Sequence, residues 1–346
     1  AVAVIEKQLA DDPDYLPELS RLVGRKEAAG RRMFAAQLAD LVEQTSLTTL
    51  TQVVSTTNER DQDALFAAAV PYEKWEAGLK EPCETFLRET FAVGVKAGAT
   101  TAGLTVPRDA VSTFNTANAE SVAWARRHAG ELITGLTEAS RTALRAVVND
   151  LLPLALEQGW GAAKTAMAIR DAVGLTEQQA VAVGRFAVRL SEQGIAEDVA
   201  TGRVARYAEA QRKIRSLMIA RTELITASGT GQQRLWDLAI NDGLLRKDRL
   251  RKTLLVAGDE RVCPQCEQLS SEEVEIDEPF SDGSMGPSIH VGCRCSSGLV
   301  RAEKTARILV KTLPSLSLEA EVQTAIRSSL GPVVAHLQKQ LTGLTS

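Results

Sequence analysis

Four of the chain's five cysteines and one of its three histidines fall in one window of 33 residues, from Cys263 to Cys295. The window opens with Cys263-Pro264-Gln265-Cys266 and closes with His290-Val291-Gly292-Cys293-Arg294-Cys295. Two residues separate the first pair of cysteines, and two separate His290 from Cys293. Thiolate and imidazole are the donors Zn²⁺ prefers, usually four in a tetrahedron and often delivered as two short-spaced pairs. The spacing therefore points to a structural zinc site. Cys263 and Cys266 form its first pair, with Pro264 stiffening the turn between them. His290, Cys293 and Cys295 compete for the two remaining places. His290 and Cys293 have the spacing of a second knuckle, whereas Cys293 and Cys295 share one side of an extended strand.

Two other chemistries use the same residues. A Cys-x-x-Cys turn can be a redox pair, but it then needs to sit at a helix N-terminus after a strand. Here Asp259, Glu260 and Glu267 flank it and are expected to raise the thiol pKa. A catalytic zinc keeps one position open and has an acid or base beside it. Glu272, Glu273, Glu275, Asp277, Glu278 and Asp282 are available, but as written they read as a solvated, turn-rich loop. Elsewhere the chemistry is thin. Ser228-Gly229-Thr230-Gly231 lacks the Gly-Lys-Ser/Thr of a phosphate loop. No serine triad is visible, and His128 and His336 read as helix-surface residues. Cys83 stands apart from any histidine and reads as an inert thiol. Arg221-Thr222-Glu223 reads as a hydrogen-bond network between packed helices.

The elements that carry this window are mostly helices. Residues 1–57 read as helix, with a turn at Pro13-Asp14 and Met33, Phe34, Leu38 and Leu41 at helical spacing. Asn58 caps a helix that Pro71 must kink or end, and another runs from about Glu84 to Val95. Residues 98–109 read as a linker. From Asp109 a helix is expected to end at Gly135, and a second starts at Thr137 and runs to Pro153. A short helix over 162–173 follows, and Gly174 closes it. Thr176-Glu177-Gln178-Gln179 is a capping box for the next. Residues 196–246 form a long helical stretch with an interruption near Ser228–Gly231. Thr253–Ala257 reads as a strand and Gly258-Asp259 as a turn. The tail is helical again, broken at Pro314 and at Gly331-Pro332. The fold class is mainly α: multi-helix N-terminal and central regions, with a small α+β zinc-stapled module near the C-terminus. The expected divisions are 1–106, 107–207, 208–302 and a tail over 303–346.

Composition narrows the classes. Apolar residues make up 44 % of the chain but aromatics only 4 %, which suits helices packed through small side chains. A net charge of −4 argues against a general polyanion binder. No apolar run reaches the length of a membrane span, and no basic-then-apolar signal opens the chain. Clustered cysteines fit a reducing compartment. Charge is nevertheless uneven. Arg203–Lys252 holds twelve Lys/Arg against five Asp/Glu, and Thr253–Cys295 holds two against nine. Arg246, Lys247, Arg249, Arg251 and Lys252 form the densest basic piece. They read as a solvated face, as one half of an electrostatic contact with the acidic window, or as a phosphate-binding face. Arg294 is expected to pair with Asp259 or Glu260.

One ordered set of residues adds a resemblance. Ile219-Ala220-Arg221-Thr222-Glu223 is followed by Ala227, Gly231-Gln232 and Trp236. Then come Asp259-Glu260-Arg261-Val262-Cys263-Pro264-Gln265-Cys266, Pro279-Phe280, and Pro287-Ser288-Ile289-His290-Val291-Gly292-Cys293-Arg294-Cys295. This order resembles the phage Mu F-like minor head (head morphogenesis) proteins of tailed bacteriophages, over about residues 208–300. The stretch 109–207, with Ala123-Trp124-Ala125 and Gly135-Leu136-Thr137, is similar to the region that precedes that domain. The resemblance implies a non-enzymatic virion component inside the phage head, present in the host cytoplasm during assembly. It implies several copies per virion and contact with portal protein, with major capsid or scaffolding protein, and with packaged DNA. The competing class is a metal-dependent nuclease or hydrolase carried in the virion.

Overall fold

The computed structural model describes residues 15–56, 58–104, 119–256, 262–270 and 272–301. The Pro13-Asp14 turn, the second half of the 98–109 linker and the Gly258-Asp259 turn lie outside these residues. So do the proposed Arg294 partners Asp259 and Glu260, and the tail with His336. Among the described residues the helices are α1 Tyr15–Glu43, α2 Leu47–Ser55, α3 Glu59–Ala69, α4 Tyr72–Thr101, α5 Ala119–Glu157, α6 Ala162–Ala172, α7 Glu177–Glu192, α8 Glu197–Asn241 and the short α9 Pro264–Leu269. Strands β1 Leu250–Leu255, β2 Glu273–Val274 and β3 Ser296–Arg301 form one sheet in the order β2-β1-β3. β2 runs antiparallel to β1, with Lys252 opposite Val274 and Thr253 opposite Glu273. The molecule is mainly α, with a small sheet near the C-terminus.

Several boundaries follow from local chemistry read directly off the sequence. Asn58 caps α3 through a 3.0 Å bond from Arg60 N, and the helix stops before Pro71. Thr176 and Gln179 form both halves of the capping box on α7. Gly174 takes φ +73°, the left-handed conformation that closes α6.

Others differ. The first helical region is two helices, because Ser46 accepts a bond from Thr49 N and starts α2. α4 begins at Tyr72 instead of Glu84 and runs through Pro82, which has no backbone N–H to give to the helix. It also includes Gly98–Thr101, the first residues of the expected linker. α5 continues straight through Gly135, and α8 through Ser228–Gly231. β1 starts three residues earlier than the apolar run suggests.

Gly94 of α4 and Gly231 of α8 serve close approach, not breaks. A Cβ on Gly94 would lie 1.8 Å from the Ser228 carbonyl oxygen, and one on Gly231 would lie 2.2 Å from the Phe91 carbonyl oxygen. These two helices therefore touch backbone to backbone, a separation that side chains at these sites would forbid. The contact is finished by Trp236, fully buried, whose Nε1 donates to the Gly98 carbonyl at 3.0 Å. α8 also packs on α1, α5 on α7 and α4, and α2 on α6. Phe34, Leu38, Leu41, Leu79, Leu87, Val147, Leu151 and Leu224 lie in their common core. Cys83 is buried there, and desolvation pushes its thiol up to about 12, so it is inert.

A second, much smaller core holds the window. Leu254, Leu269 and Phe280 are buried with Cys266, Cys293 and Cys295, and Val256, Val262, Val274 and Ile289 pack against them. So few apolar groups cannot offset the chain entropy of so many loop residues, and such modules depend on a cross-link or a metal.

Candidate metal centre

The first knuckle is a helix start. Cys263 is the N-cap of α9, in extended conformation, with Pro264 in the first helical turn. Its Sγ accepts from the Cys266 backbone N–H at 3.4 Å. One turn of helix thus returns Cys266 to the same side as Cys263. The second knuckle is a turn closed by a 3.0 Å bond from Cys293 N to the His290 carbonyl. Gly292 sits in it at φ +75°. Ser288 Oγ donates to the same carbonyl at 2.9 Å.

The two knuckles meet. His290 Nε2 lies 3.1 Å from Cys263 Sγ and 3.3 Å from Cys266 Sγ, and Cys266 Sγ lies 4.0 Å from Cys293 Sγ. Donors around one zinc at its usual bond lengths stand about 3.7 Å apart or a little less; the two His290–sulfur separations lie inside that span and the Cys266–Cys293 separation lies just outside it. The donors fall into two overlapping sets, Cys263–Cys266–His290 and Cys266–Cys293–Cys295, within each of which all donor atoms lie inside 4.8 Å. Cys266 belongs to both. The five sequence candidates thus fall into two groups of three that share Cys266, and each group could hold a metal ion.

Tautomer and charge suit that purpose. His290 Nδ1 is 3.0 Å from the Val291 carbonyl, a partner that only an N–H can satisfy, so Nε2 is left to face the sulfurs. The thiols polarise one another. A hydrogen bond from Cys295 brings Cys293 down to about 5, while the same pairing, with burial, pushes Cys295 up. Burial likewise pushes Cys266 up to about 12. At Cys263 burial acts upward but is outweighed by the Cys266 N–H and by His290, and the thiol falls. Neighbouring sulfurs cannot all ionise without a cation among them; a divalent metal removes that conflict.

The acids of the window do other work. Glu272 accepts from Ser281 N and Oγ at 2.7 and 2.8 Å, and Asp282 from Ser284 N and Oγ at 2.9 and 2.6 Å. Asp277 meets Lys247 at 2.6 Å, and Glu275 meets Arg251 at 3.6 Å. Among the described residues, no carboxylate joins either donor set. The basic piece is thus partly spent on the acidic window. Lys252 does not belong to an exposed face: it is fully buried, its Nζ donates to the Met285 carbonyl at 2.7 Å, and it lies 5.3 Å above the Phe280 ring. Its place in a strand turns it inward, whereas the run of charge in the sequence suggested one surface. Arg246 and Arg249 also have partners.

Three consecutive residues of α8 hold the module and the bundle together. Arg221 makes a two-pronged pair with Glu27 of α1, both bonds 3.0 Å. Thr222 Oγ1 accepts from Gly292 N in the second knuckle at 2.9 Å. Glu223, 8 % exposed, meets His128 Nε2 of α5 at 2.7 Å. His128 is therefore half-buried and paired, not a plain surface residue. Its ring stacks on Trp124, with centroids 4.9 Å apart. No local motif signals this pairing, because 95 residues separate its two partners.

Fold and site together define a mainly helical protein whose C-terminal module is built on a Cys/His cluster and docked to one long helix. Residues 146–297 match the family model described as Phage Mu protein F like protein, so this part of the chain is similar to that family. The match starts within α5, well before residue 208, and ends in β3. No curated protein and no solved structure matches the chain. Among the described residues, no helix is long and apolar enough to cross a membrane.

Proposed function

We propose that this chain is a minor head protein of a tailed bacteriophage that acts in head morphogenesis by binding other head components. The observation that carries the reading is the family match over 146–297. The site supports a binding role. Its donors are thiols and an imidazole, and the nearby acids are held by serine N–H and O–H groups or by Lys247 and Arg251. Zinc in this reading is structural. Cys263, Cys266 and His290, with Cys293 or Cys295, would hold it, and it would fix a module too small to fold on its own core.

The partners in this reading are portal protein and the major capsid or scaffolding protein, met inside the head by several copies whose weak contacts add up. Packaged DNA is the lesser partner, because Lys247 and Arg251 of the densest basic piece are engaged with acids and Lys252 is buried. The test is mass spectrometry of purified virions and proheads, with the copy number set against portal. Presence at a fixed ratio is expected. Absence from both particles would overturn the reading.

A further inference from the structure

Zinc held by four donors needs all the separations between them to be about 3.7 Å or a little less. Among the described residues, no four donors of the Cys/His window lie within 4.8 Å of one another. Only sets of three do: Cys263, Cys266 and His290 in one, Cys266, Cys293 and Cys295 in the other. One atom belongs to both. Cys266 Sγ lies 3.3 Å from His290 Nε2 on one side and 4.0 Å from Cys293 Sγ on the other. A thiolate sulfur has more than one lone pair, so it can bind two metal ions at once.

Charge favours the same division. A single divalent ion bound by His290 and three thiolates leaves one net negative charge and one donor idle. Two divalent ions shared among four thiolates and a neutral imidazole leave no net charge. The balance matters because Cys266, Cys293 and Cys295 are 2 %, 0 % and 4 % exposed, and uncompensated charge at such depth is costly. The two sets also differ in access. Cys263 and His290 are half-buried, so an ion between them is within reach of solvent. An ion among the three buried thiols is not.

We propose that the window is a two-ion centre, in which the Cys266 thiolate bridges one zinc held by Cys263 and His290 and a second held by Cys293 and Cys295. This rests on the reading of the window as a zinc site and extends it from one ion to two. At one equivalent a single zinc draws on four of the donors. The second equivalent divides the five into two threes around the shared sulfur. The ion beside Cys263 and His290 takes its fourth ligand from solvent and exchanges first; the inner ion stays.

The test is anaerobic titration of the full chain with cobalt(II), a spectroscopic stand-in for zinc, after removal of bound metal. Thiolate-to-cobalt absorption should grow up to two equivalents. The electron-spin signal should rise over the first equivalent and fall over the second, because ions that share a sulfur couple their spins. Native mass spectrometry of the zinc-loaded chain should give the same count of two. Cys263→Ala and Cys295→Ala, taken from opposite sets, should each stop at one equivalent with the spin signal intact. The wild-type titration decides even if neither variant folds. Saturation at one equivalent overturns the second ion and leaves a single structural zinc standing. No binding overturns both readings. Two equivalents with additive spin signals mean that the second ion lies elsewhere, and overturn the bridge.

Discussion

Thr222 Oγ1 accepts a hydrogen bond from Gly292 N across 2.9 Å, and this joins the middle of α8 to the second knuckle of the Cys/His cluster. Thr222→Val keeps the side-chain shape and removes the acceptor. It should cost about 1 kcal/mol and loosen metal retention without changing helix content. Gly292→Ala is expected to cost a similar amount for its left-handed backbone. Its new methyl also meets Met218 Sδ at 2.9 Å, but a flexible thioether can move aside. Thermal melts followed with a zinc-release dye would show the two variants losing metal before the helices unfold; simultaneous loss would contradict this.

Five donors compete for four places, so the ligands should not be equivalent. Cys266 belongs to both donor sets, and Cys266→Ser should abolish stoichiometric zinc. Cys293→Ser or Cys295→Ser leaves four donors and should retain zinc at reduced affinity, while the double variant should lose it. Zinc content after gel filtration against a mild chelator measures this. Equal loss in all the single variants would disprove the redundancy. Acid should release the metal, because protons compete for the thiolates.

His128 gives the fold a pH dependence of definite sign. The Glu223 hydrogen bond raises its pKa above the ordinary value of 6.5; burial opposes this, and the Glu223 and Glu131 charges assist it. The folded protein thus holds that proton more tightly than the unfolded chain. The stabilisation is complete below about pH 6.5 and is lost as the pH rises through the folded pKa. Thermal midpoints from pH 6 to 9 should fall in the wild type and fall less in His128→Gln. Parallel curves for the two proteins would rule His128 out as the source.

Gly135 and Gly94 should respond to alanine in opposite directions. Gly135 is exposed in the interior of α5 with nothing within 4 Å of a new Cβ, so Gly135→Ala should stabilise by about 0.5–1 kcal/mol. Had it been the helix end that its neighbours Thr137 and Glu138 suggest, the same change would destabilise. Gly94→Ala drives a methyl into the Ser228 carbonyl and should cost about 3 kcal/mol or prevent folding. Denaturant midpoints of the two variants decide both.

These glycines also show where the sequence was legible. Short-range chemistry was readable: the Asn58 cap, the Thr176–Gln179 box, and the Cys263–Cys266 and His290–Cys293 spacings each complete themselves within a few residues. Glycine was ambiguous, because the same residue ends a helix by its backbone freedom or lets another helix approach by its missing side chain. Only the partner, Phe91 for Gly231 or Ser228 for Gly94, distinguishes the two. Lys252 was misread for a similar reason. Its neighbours in sequence are basic and partly exposed, but strand alternation turns it toward Phe280. The Arg221-Thr222-Glu223 network was legible as a network, while its partners Glu27, Gly292 and His128 were not.

Consecutive helix residues point about 100° apart, so Arg221, Thr222 and Glu223 reach three separate segments from one turn of α8. A slide of the helix by one residue, or a rotation to match it, breaks all three contacts at once, and no shifted setting restores even two. The triplet therefore acts as a key. It indexes the long helix in both phase and height, so the cysteine-bearing turn is presented in a single orientation to whatever meets it.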